Sequence, residues 1–329
     1  MSLVMKTFDR YQTEVFRLYL EKKYADSFKV ASEAAKRFPD KAARTTFWIA
    51  CLNARLGRLD EAFEALNEGL RKGAWWHEDT LSDADLDPIR RTPEFDRIRK
   101  ECQDRKSASA KVAKPDLLVM DPSVSGGESW PILIVLHQRG GDKPSQTSRE
   151  WSSVLQRGVG LAVPWSSQVY DPDRRCWDNL EIAEKDVMWM YSQLSKHKGV
   201  DLQRVVFGGF SQGAAVAIYV SLKKILTCNG FVAVAPSDWV VPEAQRAVER
   251  DRPSAAFTSF VQSRRADGVR GCIFVGENDS FLRKIEFLKG EMVDRGLECK
   301  YSVETGRGHE YPRNFEEKLA ESVDFILNR

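Results

Sequence analysis

The chain has 329 residues, 42% of them hydrophobic and 30% charged, enough to bury a full core in about two domains. Acids and bases nearly balance at a formal charge of +2, which excludes a broad basic field for nucleic acid. The six cysteines (Cys51, Cys102, Cys176, Cys228, Cys272 and Cys299) are scattered without a C-x-x-C pair, which argues against a zinc site or a disulfide framework and points to a reducing, cytoplasmic setting.

Residues 7 to about 72 lack strand-like alternation, and they repeat. Lys23-Tyr24-Ala25-Asp26-Ser27-Phe28 aligns with Arg58-Leu59-Asp60-Glu61-Ala62-Phe63 at an offset of 35 residues. Beyond it, Ala31 matches Leu66 and Ala35 matches Leu70, giving each helix an i, i+3, i+7 face. Preceding helices are expected at Phe8 to Glu21 and Thr46 to Leu56, with Gly57 breaking the second pair and Pro39 following the first. A helix–turn–helix period of about 34 resembles tetratricopeptide repeats. The better match is Leu56-Gly57-Arg58-Leu59-Asp60-Glu61-Ala62; the first unit lacks the glycine and is degenerate. Two repeats bury little alone, and Thr92-Pro93-Glu94 predicts an N-capped helix to about Cys102 that caps them. Trp75-Trp76 and His77 are read as packing against the last helix rather than as a peptide-binding spot. Arg105 to Lys114 is small, polar and basic without apolar periodicity. We therefore place a linker at 106–115 between a helical domain, 1–105, and a second domain, 116–329.

From Asp116 onward, short β-rich runs alternate with amphipathic helices, the pattern of an open, mostly parallel α/β sheet. Strands are expected at Leu117 to Met120, Pro131 to Leu136, Gly160 to Pro164, Phe231 to Ala235, Cys272 to Val275 and Glu298 to Val303. Helices are expected at Ser148 to Gln156, Leu180 to Lys196, Ala214 to Leu226, Phe281 to Arg295 and Asn314 to Leu327. Trp165 to Asn179 reads as a loop, and Pro236 to Gly268 as an irregular insertion that is either a lid or a surface elaboration. No apolar run reaches spanning length, the longest being Ala214 to Leu222 before Lys223-Lys224. Met1 to Met5 is too short for the apolar core of a secretion signal.

One stretch of this half carries chemistry. Arg204-Val205-Val206-Phe207 enters Gly209-Phe210-Ser211-Gln212-Gly213, and a helix leaves it. A turn this tight needs its two glycines, strains its central residue and lifts Ser211 above the sheet at a helix N-terminus, where the Gln212 N–H faces any oxyanion formed beside it. Ligands of such sheets collect beyond the carboxyl ends of the strands. Asp279, in Val275-Gly276-Glu277-Asn278-Asp279, ends a second strand there. His309, in Gly306-Arg307-Gly308-His309-Glu310-Tyr311-Pro312, follows the last. Each alone is an ordinary turn or loop residue; together, in the order Ser, Asp, His, they predict a nucleophile, an acid and a base. Asp238, after the preceding strand, is the fallback acid.

Residues 116 to 329 resemble an α/β-hydrolase of the carboxylesterase and acyl-thioesterase type. The matching stretches are Leu136-His137, Gly209-Phe210-Ser211-Gln212-Gly213-Ala214, Gly276-Glu277-Asn278-Asp279 and Gly308-His309. In that family the strand ending in Leu-His runs into His-Gly-x-Gly, whose backbone supplies the second oxyanion donor. This chain has His137-Gln138-Arg139-Gly140-Gly141, so by position the resemblance makes the Arg139 N–H that donor, with Gln138 where a glycine is expected. It implies a serine esterase or thioesterase that needs no metal or organic cofactor. A peptidase of related fold, or a repeat-containing adaptor whose hydrolase domain has lost activity, remains as the alternative. Trp165, Tyr170, Arg174, Arg175 and Trp177 are expected at the rim of the substrate pocket, or equally as a solvated loop with structural tryptophans. The partners expected are a small acyl ester or thioester and, through the helical repeats, a protein partner or a second copy of the chain.

Overall fold

The computed structural model describes residues 7–124, 129–238 and 254–328. Met1 to Met5 and the middle of the 236–268 insertion lie outside these. The described residues fall into two compact units, one up to Val112 together with Tyr170–Pro172, the other comprising the rest from Ala113 onward. Among them no helix is long and apolar enough to cross a membrane.

Up to Val112 the first unit is helical. Its main helices are α1 (Phe8–Leu20), α2 (Tyr24–Arg37), α3 (Ala42–Arg55) and α4 (Leu59–Arg71), followed by single turns and a long helix, Pro93–Val112. The internal repeat is visible in the backbone. Lys22 takes a left-handed φ of 59° after α1, and Gly57 takes 74° at the equivalent place after α3. The same closing bond follows each, from Lys23 N–H to the Leu18 carbonyl and from Arg58 N–H to the Asn53 carbonyl, both 2.9 Å. Lysine at 22 is strained where glycine at 57 is not, which is why the first repeat reads as degenerate. Phe8, Val15, Ala31, Trp48 and Leu52 form a core here. Trp75 and Trp76 are buried as expected, and the Trp76 indole donates to the Ala43 carbonyl at 2.7 Å.

The Thr92 hydroxyl accepts from Phe95 N–H at 3.2 Å, the expected cap. The helix it opens does not end near Cys102 but runs to Val112, so residues 106–112, expected in a linker, are its last turns. Lys, Ala and Ser here are adequate helix formers, and an exposed helix end needs no apolar period to form. Arg105 also ties it down, donating to the Leu70 and Ala74 carbonyls at 2.7 and 3.0 Å.

The second unit is a seven-stranded sheet in the order β1-β3-β2-β6-β7-β8-β9. Its strands are β1 (Asp116–Met120), β2 (Trp130–Leu136), β3 (Gly160–Trp165), β6 (Val200–Phe210), β7 (Gly230–Val234), β8 (Arg270–Gly276) and β9 (Glu298–Glu304). Only the edge pair β1/β3 is antiparallel; the other pairs are parallel. The loop expected at Trp165 to Asn179 contains a small hairpin, β4 (Val169–Asp171) and β5 (Arg174–Arg175). The segment expected as a helix at Ser148 to Gln156 is instead a 3-10 helix, Ser148–Arg157.

Both faces of the sheet are buried, so its central strands are apolar throughout. On one side Ile132, Ile134, Leu136, Val205 and Phe207 meet the helices Leu180–Leu194, Gln212–Lys223 and Leu282–Val293. On the other, Leu133, Val135, Val206 and Val232 meet Trp151 and the helix Phe315–Leu327. Strand order reverses between β2 and β6, so their carboxyl ends diverge into the crevice where such sheets hold ligands.

Candidate active site

Ser211 sits where β6 turns into the helix Gln212–Lys223, with φ 54° and ψ −119°. A non-glycine residue rarely adopts this conformation, and it costs about 1–3 kcal/mol. Close packing enforces it. A Cβ on Gly213 would overlap the Leu136 carbonyl of β2, and one on Gly209 would overlap the backbone of Gly213. The Ser211 N–H donates to the Val234 carbonyl at 3.0 Å, and its own carbonyl accepts from Ser237 N–H at 3.2 Å. The elbow is thereby pinned to the ends of β2 and β7.

His309 and Asp279 reach it from beyond the ends of β9 and β8. His309 Nε2 lies 2.9 Å from Ser211 Oγ, and His309 Nδ1 lies 2.9 Å from Asp279 Oδ2. The carboxylate accepts from Nδ1–H, which leaves Nε2 to accept from the serine hydroxyl. The Asp279 side chain is fully buried and its other oxygen accepts from Phe281 N–H at 2.9 Å. The imidazole is 34% exposed, so a substrate can approach it. Backbone contacts hold the histidine loop as well. A Cβ on Gly276 would overlap the carbonyls of Arg307 and Gly308, and Asn278 N–H donates to the Arg307 carbonyl at 2.8 Å. Phe210 and Phe281 flank the ring at 5.1 and 5.6 Å.

Asp238, the fallback acid, does not reach His309. It is buried, with Oδ2 accepting from Ser254 N–H and from Lys284 Nζ, both at 3.2 Å.

The facing side, after β2, is held differently. His137 is buried; its Nδ1–H donates to the Gln138 carbonyl at 2.8 Å, and its Nε2 accepts from Ser166 N–H at 3.2 Å. Burial pulls its pKa down to about 4. Its ring stacks on Trp177 at 4.8 Å and rests against Gly141, where a Cβ would overlap it. The Arg139 guanidinium clamps Asp178, Nε to Oδ1 and Nη2 to Oδ2, both at 2.8 Å. Asp178 Oδ1 also accepts from Gln212 Nε2 at 2.8 Å, while Gln212 Oε1 accepts from Trp177 N–H at 2.9 Å.

Of the expected rim residues, Trp177 is fully buried beneath His137 and donates its indole N–H to the His137 carbonyl at 2.9 Å. Trp165 is half-buried, with the Arg175 guanidinium 4.3 Å above its ring. Tyr170 groups with the helical unit. Asp178 carries no sequence signal beyond its place beside Trp177, because its partners come from distant parts of the chain. Among the described residues, Cys51, Asp83 and Asp85 are the one group of donors close enough to share an ion, and the Arg55 guanidinium already lies 2.6 Å from Asp85.

Comparison with known proteins agrees with this architecture. A family model described as "A/B hydrolase-like, N-terminal domain" matches residues 7–111, and the tetratricopeptide likeness expected for part of this stretch finds no match of its own. A second, described as "Phospholipase/Carboxylesterase", matches residues 185–252. An S-formylglutathione hydrolase from Agrobacterium tumefaciens is similar in structure, at 16% identity and a TM-score of 0.53, over 66% of this chain and 90% of that one. Est1E from Butyrivibrio proteoclasticus, solved with ferulic acid, is similar at 14% identity and a TM-score of 0.50, over 66% and 95%. An uncharacterised protein from Bacillus cereus ATCC 10987 aligns at 24% identity over 98% of this chain and 99% of that one, with a TM-score of 0.49. No curated protein matches. The fold is that of an α/β-hydrolase preceded by an all-helical region.

Proposed function

We propose that the chain is a serine hydrolase that cleaves a carboxylic ester or thioester through an acyl-enzyme. The observation that carries this is the relay Asp279–His309–Ser211, with both contacts at 2.9 Å, at the carboxyl edge of the sheet. The phospholipase/carboxylesterase match, which spans the elbow, supports it.

Ser211 Oγ attacks the acyl carbonyl as His309 Nε2 takes its proton, and buried Asp279 steadies the imidazolium. The N–H groups of Gln212 and Arg139 receive the oxyanion. Collapse of the tetrahedral intermediate expels the alcohol or thiol, which takes the proton from His309. Water, deprotonated by His309, then releases the acid and restores Ser211. The helical unit supplies none of these groups, and we assign it to self-association or partner binding. Phe16 and Leu20, exposed one turn apart on α1, are the residues to alter when mass in solution is measured.

The test is labelling with a fluorophosphonate probe, followed by an acyl-ester and thioester chain-length panel. Labelling lost in Ser211→Ala is expected; unimpaired turnover in that variant would sink the proposal.

A further inference from the structure

We propose that Asp178 is a positioning residue that sets the spacing of the two oxyanion donors; this deepens the serine-hydrolase reading and rests on it. The two residues assigned as donors, Gln212 and Arg139, come from different strand ends, β6 and β2. Their N–H groups must converge on one oxygen with an accuracy of about half an ångström to be worth their full effect. The helix fixes Gln212. Arg139 lies in a loop whose next residue, Gly140, has a φ of 67° and whose Gly141 is bridged to Arg175 through the backbone.

The side chains couple this loop to the helix directly. One carboxylate holds both residues: Asp178 Oδ1 accepts from Arg139 Nε and from Gln212 Nε2, and Oδ2 accepts from Arg139 Nη2, all at 2.8 Å. A two-pronged guanidinium–carboxylate pair fixes direction as well as distance. The Asp178 and Arg139 side chains are 23% and 21% exposed, so solvent competes for the pair less than at an open surface. Asp178 is itself anchored by its neighbour. Trp177 donates its backbone N–H to Gln212 Oε1 and its indole N–H to the His137 carbonyl, each at 2.9 Å. Trp177-Asp178 thus links the serine elbow to the first residue of the facing loop. The clamp also turns the Arg139 guanidinium towards Asp178, so this residue serves an oxyanion through its backbone.

The experiment compares the full chain with Asp178→Asn and Asp178→Ala. It measures kcat and KM on a small activated ester, and the inhibition constant of phenylboronic acid. Boron accepts Ser211 Oγ as the proton passes to His309, giving a tetrahedral anion that occupies the oxyanion site. For Asp178→Ala we expect kcat to fall about 10- to 100-fold, less than the ~10²–10³-fold cost of deleting a donor outright. KM should stay within about twofold, and boronate affinity should fall in parallel with kcat. Asp178→Asn keeps one acceptor oxygen and loses the charged fork, so its losses should be intermediate; it carries the test if the alanine variant does not fold. A merely structural tether would lower the melting temperature and leave boronate affinity alone. Unchanged or raised kcat in both variants, or a fall in kcat without one in boronate affinity, overturns the proposal. Failure of the underlying reading is distinguishable, because it would show as turnover that survives Ser211→Ala.

Discussion

Two sides of Ser211 are held in place by different means. The elbow and the histidine loop are fixed by backbone on backbone: Gly213 against Leu136, Gly209 against Gly213, Gly276 against Arg307 and Gly308. The loop after β2 is held largely by side chains, through His137, Trp177, Asp178 and Arg139, beside one backbone bridge from Gly141 to Arg175. Backbone contacts of the first kind tolerate only glycine and leave a mark at fixed positions in the chain. Networks of the second kind can be built from many residue types, and they respond to pH and to single charges.

The sharpest way to test this division is to remove the chemistry while leaving both supports in place. Ser211→Ala and His309→Ala should each lower kcat by about 10³-fold or more and leave the thermal transition near that of the parent, since members of such a relay act as a unit. Labelling that persisted on Ser237 would move the nucleophile. Next in size is the acid. Asp279→Asn should cost about 10²–10⁴-fold in kcat, because the wrong imidazole tautomer is then stabilised. Asp238→Asn should leave kcat within a few-fold, since its carboxylate faces Lys284 and Ser254. The reverse outcome would reassign the acid.

The backbone-held side is then probed through its glycines. Gly213→Ala and Gly276→Ala each force a Cβ into a carbonyl that cannot move without shifting a strand or the histidine loop. We expect losses of about 3 kcal/mol or more in urea unfolding; a loss below about 1 kcal/mol would show that these contacts yield easily. The side-chain-held loop should instead reveal itself in acid. His137 is held neutral, with its pKa near 4 against an unfolded value of about 6.5. Its contribution is complete above about pH 6.5. As pH falls from there towards 4, the unfolded chain binds a proton that the folded chain refuses, and about 3 kcal/mol is lost. His137→Gln should be less stable at neutral pH and should flatten the fall in melting temperature across that window. An unchanged slope would place the acid sensitivity elsewhere.

This division also explains what could be read from the chain beforehand. The elbow, the two strand-end partners and the parallel order of the sheet announce themselves through glycine spacing and apolar runs. The 35-residue repeat does so through matched helix starts, and its first turn shows that Lys22 bears the conformation Gly57 takes freely. What was illegible depended on distance. Asp178 meets Arg139 and Gln212 across 39 and 34 residues, and no local pattern encodes such a meeting. Trp177 could be read as a rim residue because burial beneath His137 comes only from tertiary packing. The helix continuing to Val112 escaped for the opposite reason, because its exposed end has no apolar face to betray it.

The backbone of Ser211 has a consequence for how this protein could change over generations. Glycine would relax the φ of 54° and ψ of −119° at that position, returning up to about 1–3 kcal/mol to the fold while removing the hydroxyl that His309 touches. Selection for expression or heat resistance alone would favour that replacement, and selection for turnover would forbid it. Lineages released from their substrate should therefore drift to glycine at 211 early, gaining robustness as they lose activity.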